Sequence, residues 1–140
     1  MAPHLLSVKV RFGELDPYNH VNHSVYVGWF EAGRCEAMES VGYSLATLAQ
    51  QGVQVVVADL NVKYRLPAVA DDVVTVHTAI AELGRVVGHW RQRITRTTAD
   101  GVVEVLCEAE VRAGSCNADG RPHRMPEAVA EALRSLVGDV

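Results

Sequence analysis

The sequence predicts an α+β domain in which a five-stranded antiparallel sheet wraps around one long helix, with a short helix at the C-terminus. Three observations carry that prediction. Tyr26, Phe30, Gly33, Ala37 and Val41 recur at three- and four-residue intervals and form one apolar helical stripe. Two members of the stripe, Gly33 and Ala37, are small, so a broad flat element can approach that face closely. Beyond residue 60, four successive runs show strand character.

Residues 5–11 open the chain as a strand. Gly13 to His20 is polar and turn-rich and extends neither neighbour. The helix follows from Ser24 to about Val41, with Ser24 or Asn22 available to cap its start and Gly42 placed to end it. Val53 to Ala58 is apolar on both faces, which marks it as the edge most suited to pairing with a second copy of the chain. Leu60, Val62, Tyr64 and Leu66 alternate with Asn61, Lys63 and Arg65. Val74 to Ile80, Val87 to Thr98 and Val102 to Ala113 complete the strands.

Asp100-Gly101 is a two-residue hairpin signal between the last two strands. It sets a register in which Arg93 faces Glu108 and Arg91 faces Glu110, while Ile94 faces Cys107 and Trp90 faces Val111. Charges then share one face and apolar groups the other, as a correct register requires. After the loop 117–120, Pro126 opens a short helix that turns Val129, Leu133 and Leu136 inward.

Composition narrows the function. The 140 residues carry 13 Lys and Arg against 17 Asp and Glu, a formal charge of −4, and 49% are hydrophobic. One domain spanning 1–140 is expected, because a chain of this size buries roughly 70% of its unfolded surface in one core. Mild acidity argues against a nucleic-acid partner. No apolar run approaches the ~18 residues of a membrane span, and Met1 to Val10 lacks the pattern of a secretory signal. A cytoplasmic protein is therefore expected. Cys35, Cys107 and Cys116 are odd in number and lack metal spacing, so they read as reduced packing thiols. Asn22-His23-Ser24 matches a glycosylation acceptor by coincidence.

The densest polar cluster, Glu14, Asp16, Tyr18, Asn19, His20, Asn22 and His23, lies where the loop enters the long helix. Unpaired N–H groups and the dipole at a helix start favour developing negative charge. A carboxylate held just before that start suits acyl transfer, with the amides binding an oxyanion and Asp16 attacking a carbonyl or activating water. Two plainer readings compete: Asp16-Pro17 as a turn initiator, and the acid as a cap. A metal on Asp16, His20 and His23 lacks a zinc-type spacing. A serine nucleophile lacks its Gly-x-Ser-x-Gly elbow, and Cys35 falls mid-helix.

The block Arg11-Phe-Gly-Glu-Leu-Asp16-Pro-Tyr-Asn-His20-Val-Asn22-His-Ser-Val-Tyr26-Val-Gly-Trp-Phe30-Glu31-Ala-Gly-Arg34 closely resembles the signature of small hotdog-fold acyl-CoA thioesterases. These form the 4-hydroxybenzoyl-CoA thioesterase-like group, whose relatives include plant acyl-ACP thioesterases. The resemblance continues through Asp59-Leu-Asn-Val-Lys-Tyr64-Arg-Leu-Pro67-Ala, Asp72-Val-Val-Thr-Val and Arg121-Pro-His-Arg-Met-Pro126. It implies a hotdog fold, a homodimer or homotetramer with its site near the subunit interface, and hydrolysis of an acyl thioester. Asp16 matches the catalytic carboxylate, and the backbone N–H of His23 matches the group that polarises the thioester carbonyl. Tyr18, Asn19, His20, Asn22 and Tyr26 are the candidate substrate contacts; against this, Tyr26 also reads as a packing residue, and His20 as either a base or a residue that orders the loop. Glu31 and Arg34 suggest an i,i+3 pair or a tie that holds down the loop. Plant-type relatives place Asn two residues after the acid, where this chain has Tyr18, so the single-carboxylate scheme fits better.

No cofactor is expected, because CoA is part of the substrate, and no metal. Arg91 and Arg93 face glutamates in the hairpin register, which leaves Lys63, Arg65, Arg85, Arg121 and Arg124 as candidates for the CoA phosphates. Eleven of the 13 basic residues are Arg, which suits bidentate phosphate contact. Two other functions remain open at this point. An enoyl-CoA hydratase of the same fold would carry Asn two and His five residues after the acid; here they come three and four after. A non-catalytic acyl-CoA binding protein would bind without turnover.

Overall fold

The computed structural model describes residues 3–140, so Met1 and Ala2 of the N-terminal segment lie outside it. Strand β1 (His4–Lys9) leads through a 3-10 turn (Phe12–Glu14) into helix α1 (His23–Ser40). A short helix α2 (Leu45–Gln50) precedes strands β2 (Gln54–Tyr64), β3 (Val73–Leu83), β4 (Val87–Thr97) and β5 (Val103–Cys116). Helix α3 (Glu127–Arg134) closes the fold. The five strands form one antiparallel sheet in the order β1-β3-β4-β5-β2. β1 and β2 are therefore its two edges, and the Val53 to Ala58 run feeds the β2 edge, where Val56 and Val57 are each about half exposed.

Helix α1 lies against the inner face of the sheet, and its buried side is Tyr26, Trp29, Phe30, Gly33, Ala37 and Met38. The small residues set the spacing. A Cβ at Gly33 would stand 2.8 Å from both Thr78 Oγ1 and Val76 Cγ1 and 3.1 Å from Gln92 Nε2. That close approach brings a polar clamp into reach. Gln92, buried at the centre of β4, donates from Nε2 to Phe30 O (2.8 Å) and to Thr78 Oγ1 (2.9 Å). Its Oε1 accepts from Arg34 Nη1 at 2.8 Å. Every polar atom of the buried amide is engaged, as burial demands. The expected Glu31–Arg34 pair does not form, because Arg34 turns inward to Gln92, and burial lowers its pKa from the ordinary value.

The β4–β5 hairpin holds the expected facing pairs: Arg93 with Glu108, Arg91 with Glu110, Ile94 with Cys107 and Trp90 with Val111. The turn that makes it differs from expectation. Thr98 N donates to Val102 O and Gly101 N to Thr98 O, so the loop has three residues, with Gly101 at φ +84°. A bulge at Leu106 then restores the register that a two-residue loop would have given. Of the two expected ion pairs, Arg91–Glu110 forms at 3.9 Å, with Arg91 also reaching Asp139 at 3.3 Å, whereas Glu108 pairs with Arg65 at 3.1 Å rather than with Arg93.

Two further elements depart from the sequence reading. α2 carries no usable periodicity in six residues; it forms because Ser44 caps it, accepting from Thr47 N, and because Leu48 is fully buried. In α3, Pro126 is the N-cap, Val129 and Leu133 are buried, and Leu136 lies past the helix end. The thiols behave as packing groups: Cys107 and Cys116 are buried, none is bonded to another, and burial pushes the Cys107 thiol up to about 12. No described helix is long and apolar enough to cross a membrane.

Candidate active site

Between β1 and α1 the chain folds back on itself. Asn22 N donates to Glu14 O at 2.8 Å, Leu15 and Val21 form an antiparallel bridge, and Asp16 N donates to His20 O at 2.7 Å. Asn19 takes the left-handed conformation (φ 61°) that lets the tip reverse, a backbone state Asn tolerates well. The polar cluster is thus a miniature hairpin that delivers the chain straight into α1.

The carboxylate of Asp16 is held by the main chain. Its Oδ1 accepts from Tyr18 N at 2.8 Å and from His20 N at 3.1 Å, while Oδ2 has no protein partner among the described residues. One oxygen fixes the group, and a carboxylate oxygen placed like the other can accept a proton or attack an electrophile. Asn22 is the helix cap: its Oδ1 accepts from Ser24 N (3.0 Å) and Ser24 Oγ (2.9 Å), and its carbonyl accepts from Val25 N (2.9 Å). The Asn22–His23 peptide is thereby tethered at its oxygen, while the His23 N–H has no acceptor among the described residues.

A second loop braces this hairpin. Val21 N donates to Ala68 O, His20 bridges to Val69, and Ala68 N donates to Tyr26 Oη at 2.9 Å. Arg96 ties that loop down. Its Nη1 donates to Asp72 Oδ2 at 2.8 Å and to Pro67 O at 3.0 Å, and its Nη2 to Glu104 Oε1 at 3.1 Å. The Asp72 hydrogen bond leads the effects that raise the Arg96 pKa above its ordinary value.

The predicted residues therefore divide by what they do. Tyr18 is 79% exposed, and with His20 its role towards Asp16 runs through a backbone N–H; the Tyr18, Asn19 and His20 side chains face solvent. Asn22 caps the helix. Tyr26 is 3% exposed, packed edge-on against Trp29 and Tyr64, with its hydroxyl taken by Ala68 N, so it is a packing residue rather than a substrate contact. Sequence reasoning passed over Tyr64. Its alternation placed it among inward apolar residues, yet its hydroxyl donates to His23 O at 2.7 Å.

The five phosphate candidates do not form one patch. Lys63 and Arg65 lie where β2 ends, at the Asp16 end of the sheet, and Arg65 is engaged by Glu108. Arg85 sits in the β3–β4 turn at the opposite end, where its carbonyl accepts from Met125 N, and Arg121 and Arg124 lie in that same neighbouring segment. Strands of 11 residues separate the two groups by roughly 30 Å. Among the described residues, no three His, Cys, Asp or Glu side chains converge as a metal site would require.

This arrangement of one long helix against a five-stranded antiparallel sheet recurs in known proteins. Residues 10–133 match the thioesterase-like superfamily, and the chain belongs to that family. The long-chain acyl-CoA thioesterase FadM of Escherichia coli is 30% identical over 105 residues, which cover 71% of this chain and 79% of FadM. A hypothetical protein from Thermus thermophilus superposes with a TM-score of 0.85 at 33% identity, covering 95% of this chain and 98% of that one. The 4-hydroxybenzoyl CoA thioesterase of Pseudomonas sp. strain CBS-3 superposes with a TM-score of 0.85 at 24% identity, over 94% of this chain and 99% of that one. The fold is the hotdog fold.

Proposed function

We propose that the chain hydrolyses acyl-CoA thioesters, with Asp16 as the reacting carboxylate and the His23 N–H as the donor to the thioester oxygen. The observation that carries this reading is the division of labour at Asp16: Oδ1 is saturated by two backbone amides and Oδ2 has no partner among the described residues, in the hairpin that leads into an 18-residue helix. Two routes fit. Oδ2 attacks the carbonyl carbon, CoA leaves as thiolate, and water cleaves the mixed anhydride. Alternatively, Oδ2 takes a proton from water as the water attacks, and the thiolate leaves from the tetrahedral intermediate. Either route ends in free acid and CoA and needs no cofactor, since thiolate is a good leaving group.

The candidate place for the acyl chain is apolar and begins two turns along α1 from His23. A cavity of about 220 Å³ runs between α1 and the β2 edge, lined by Cys35, Met38, Leu45, Val55, Val57 and Trp90 together with Glu31 and Arg34. A cytoplasmic setting accords with three unpaired thiols.

The working unit in this reading is at least a homodimer joined along β2. That edge offers unpaired backbone groups flanked by the exposed Val56 and Val57. Antiparallel pairing about a twofold axis would set the start of one β2 beside the end of the other. The partner's Arg121 and Arg124 end would then lie alongside the Asp16 end, which reunites the two separated basic groups around one CoA. A Val56→Lys, Val57→Lys double variant is expected to sediment as a monomer while the parent sediments as a dimer or larger. An unchanged sedimentation coefficient would exclude this edge.

Thiol release from short, long and aromatic acyl-CoAs tests the activity. Saturable CoA release by the parent is the expected result. Hydration of crotonyl-CoA without free thiol would assign a hydratase instead, and binding without either reaction would assign a carrier.

A further inference from the structure

We propose that Tyr64 is a positioning residue for the carbonyl-binding first turn of α1, holding the His23 peptide from the end of edge strand β2. The proposal rests on the thioesterase reading above and deepens it. The Tyr64 hydroxyl donates to His23 O at 2.7 Å, across 41 positions of sequence. That carbonyl belongs to the first residue of α1, whose oxygen the helical ladder already supplies with an N–H donor four residues on. A second donor there meets no structural need, and a half-exposed tyrosine has water available for its hydroxyl.

What the bond does is fix orientation. Residue 23 lies between two peptide groups. The one before it carries the unpartnered His23 N–H, with its oxygen held by Val25 N at 2.9 Å. The one after it carries Ser24 N–H, which is spent on Asn22 Oδ1, and the carbonyl that Tyr64 holds. With both flanking peptides anchored, rotation about residue 23 is blocked and its N–H keeps one direction. A hydrogen bond accepted by a carbonyl also polarises the same peptide's N–H, which strengthens the Asn22 cap.

Tyr64 is rigid enough for this task. Its ring packs edge-on to Tyr26 at 5.4 Å, and the next two residues donate their N–H groups to the carbonyl of the fully buried Leu106 at 2.8 and 3.1 Å. Burial raises the phenol pKa above its usual value, so the hydroxyl stays a donor at neutral pH.

Tyr64→Phe keeps the ring against Tyr26 and removes only the donor. Steady-state hydrolysis should show kcat/KM lowered by about 5- to 20-fold with kcat itself reduced, because the carbonyl loses its aligned donor in the bound substrate and, more strongly, in the transition state. The melting temperature should barely move. Two CoA analogues separate positioning from packing: an S-alkyl thioether, which has no carbonyl, and a ketone in which CH2 replaces the sulfur. Calorimetric titration should show Tyr64→Phe weakening the ketone several-fold more than the thioether. Equal weakening of both analogues, or an unchanged kcat, would overturn the assignment. The analogues bind without turnover, so their ratio reports on Tyr64 independently of hydrolysis. A parent that releases no thiol sinks the functional reading by itself, and a parent that binds neither analogue overturns both.

Discussion

Asp16→Asn is expected to lower turnover by about 10²- to 10⁴-fold, the range removed with a general base or nucleophile, while the protein keeps its fold. The geometry explains why the two effects separate. An asparagine Oδ1 accepts from Tyr18 N and His20 N as the carboxylate does, so the miniature hairpin survives. Only the second oxygen changes, from an anion that can attack or take a proton to an amide nitrogen that can do neither. Thiol release measured beside circular dichroism reads both quantities. Near-parental turnover by a folded Asn variant would remove Asp16 from the mechanism. Asp16→Ala is a poorer probe, because it leaves two loop amides without their acceptor and blurs chemistry with loop order.

The largest stability effect is expected at Gly33. Its missing Cβ is the space in which Thr78, Val76 and Gln92 meet α1. Gly33→Val gains helix propensity but drives two methyl groups into side chains already 2.8 Å from where Cβ would stand. Overpacking on this scale costs about 3 kcal/mol, which corresponds to roughly 10 °C in melting temperature for a domain of this size. Relief by withdrawal of the helix would break the two bonds that join Gln92 to α1, at Phe30 O and Arg34 Nη1, and strand a buried amide. A calorimetric scan showing no loss of stability would mean that helix and sheet are not locked together at this point.

Much of the architecture was legible because its signals are local and periodic. α1 spans His23–Ser40 against an expected Ser24 to Val41, since its stripe and caps lie within one run of residues. The β4–β5 register was reached through an incorrect turn: a loop one residue longer than expected is offset by the Leu106 bulge. A bulge leaves no mark in an alternating sequence, whereas the face-sorting of charges constrains the final pairing directly. α2 was invisible because six residues hold less than two turns of periodicity.

At the site, Asp16 and the cap Asn22 could be placed because their work is done by residues two to four positions away. Tyr64 could not. Its partner is 41 residues distant, and alternation classed a hydroxyl donor with its apolar neighbours. The same limit misassigned Arg34 to Glu31, a neighbour in sequence, rather than to Gln92, a neighbour only once helix and sheet are packed.

The hairpin that carries Asp16 is held together by main-chain hydrogen bonds, including the two amides that grip the acid, whereas the Tyr18, Asn19 and His20 side chains project outward. The placement of the carboxylate and the identity of the outward side chains are for that reason separable properties of one short segment. A substitution at Tyr18 changes the exposed surface beside Asp16 without touching the main-chain amides that hold its carboxylate, so the loop can vary outwardly while the acid stays put.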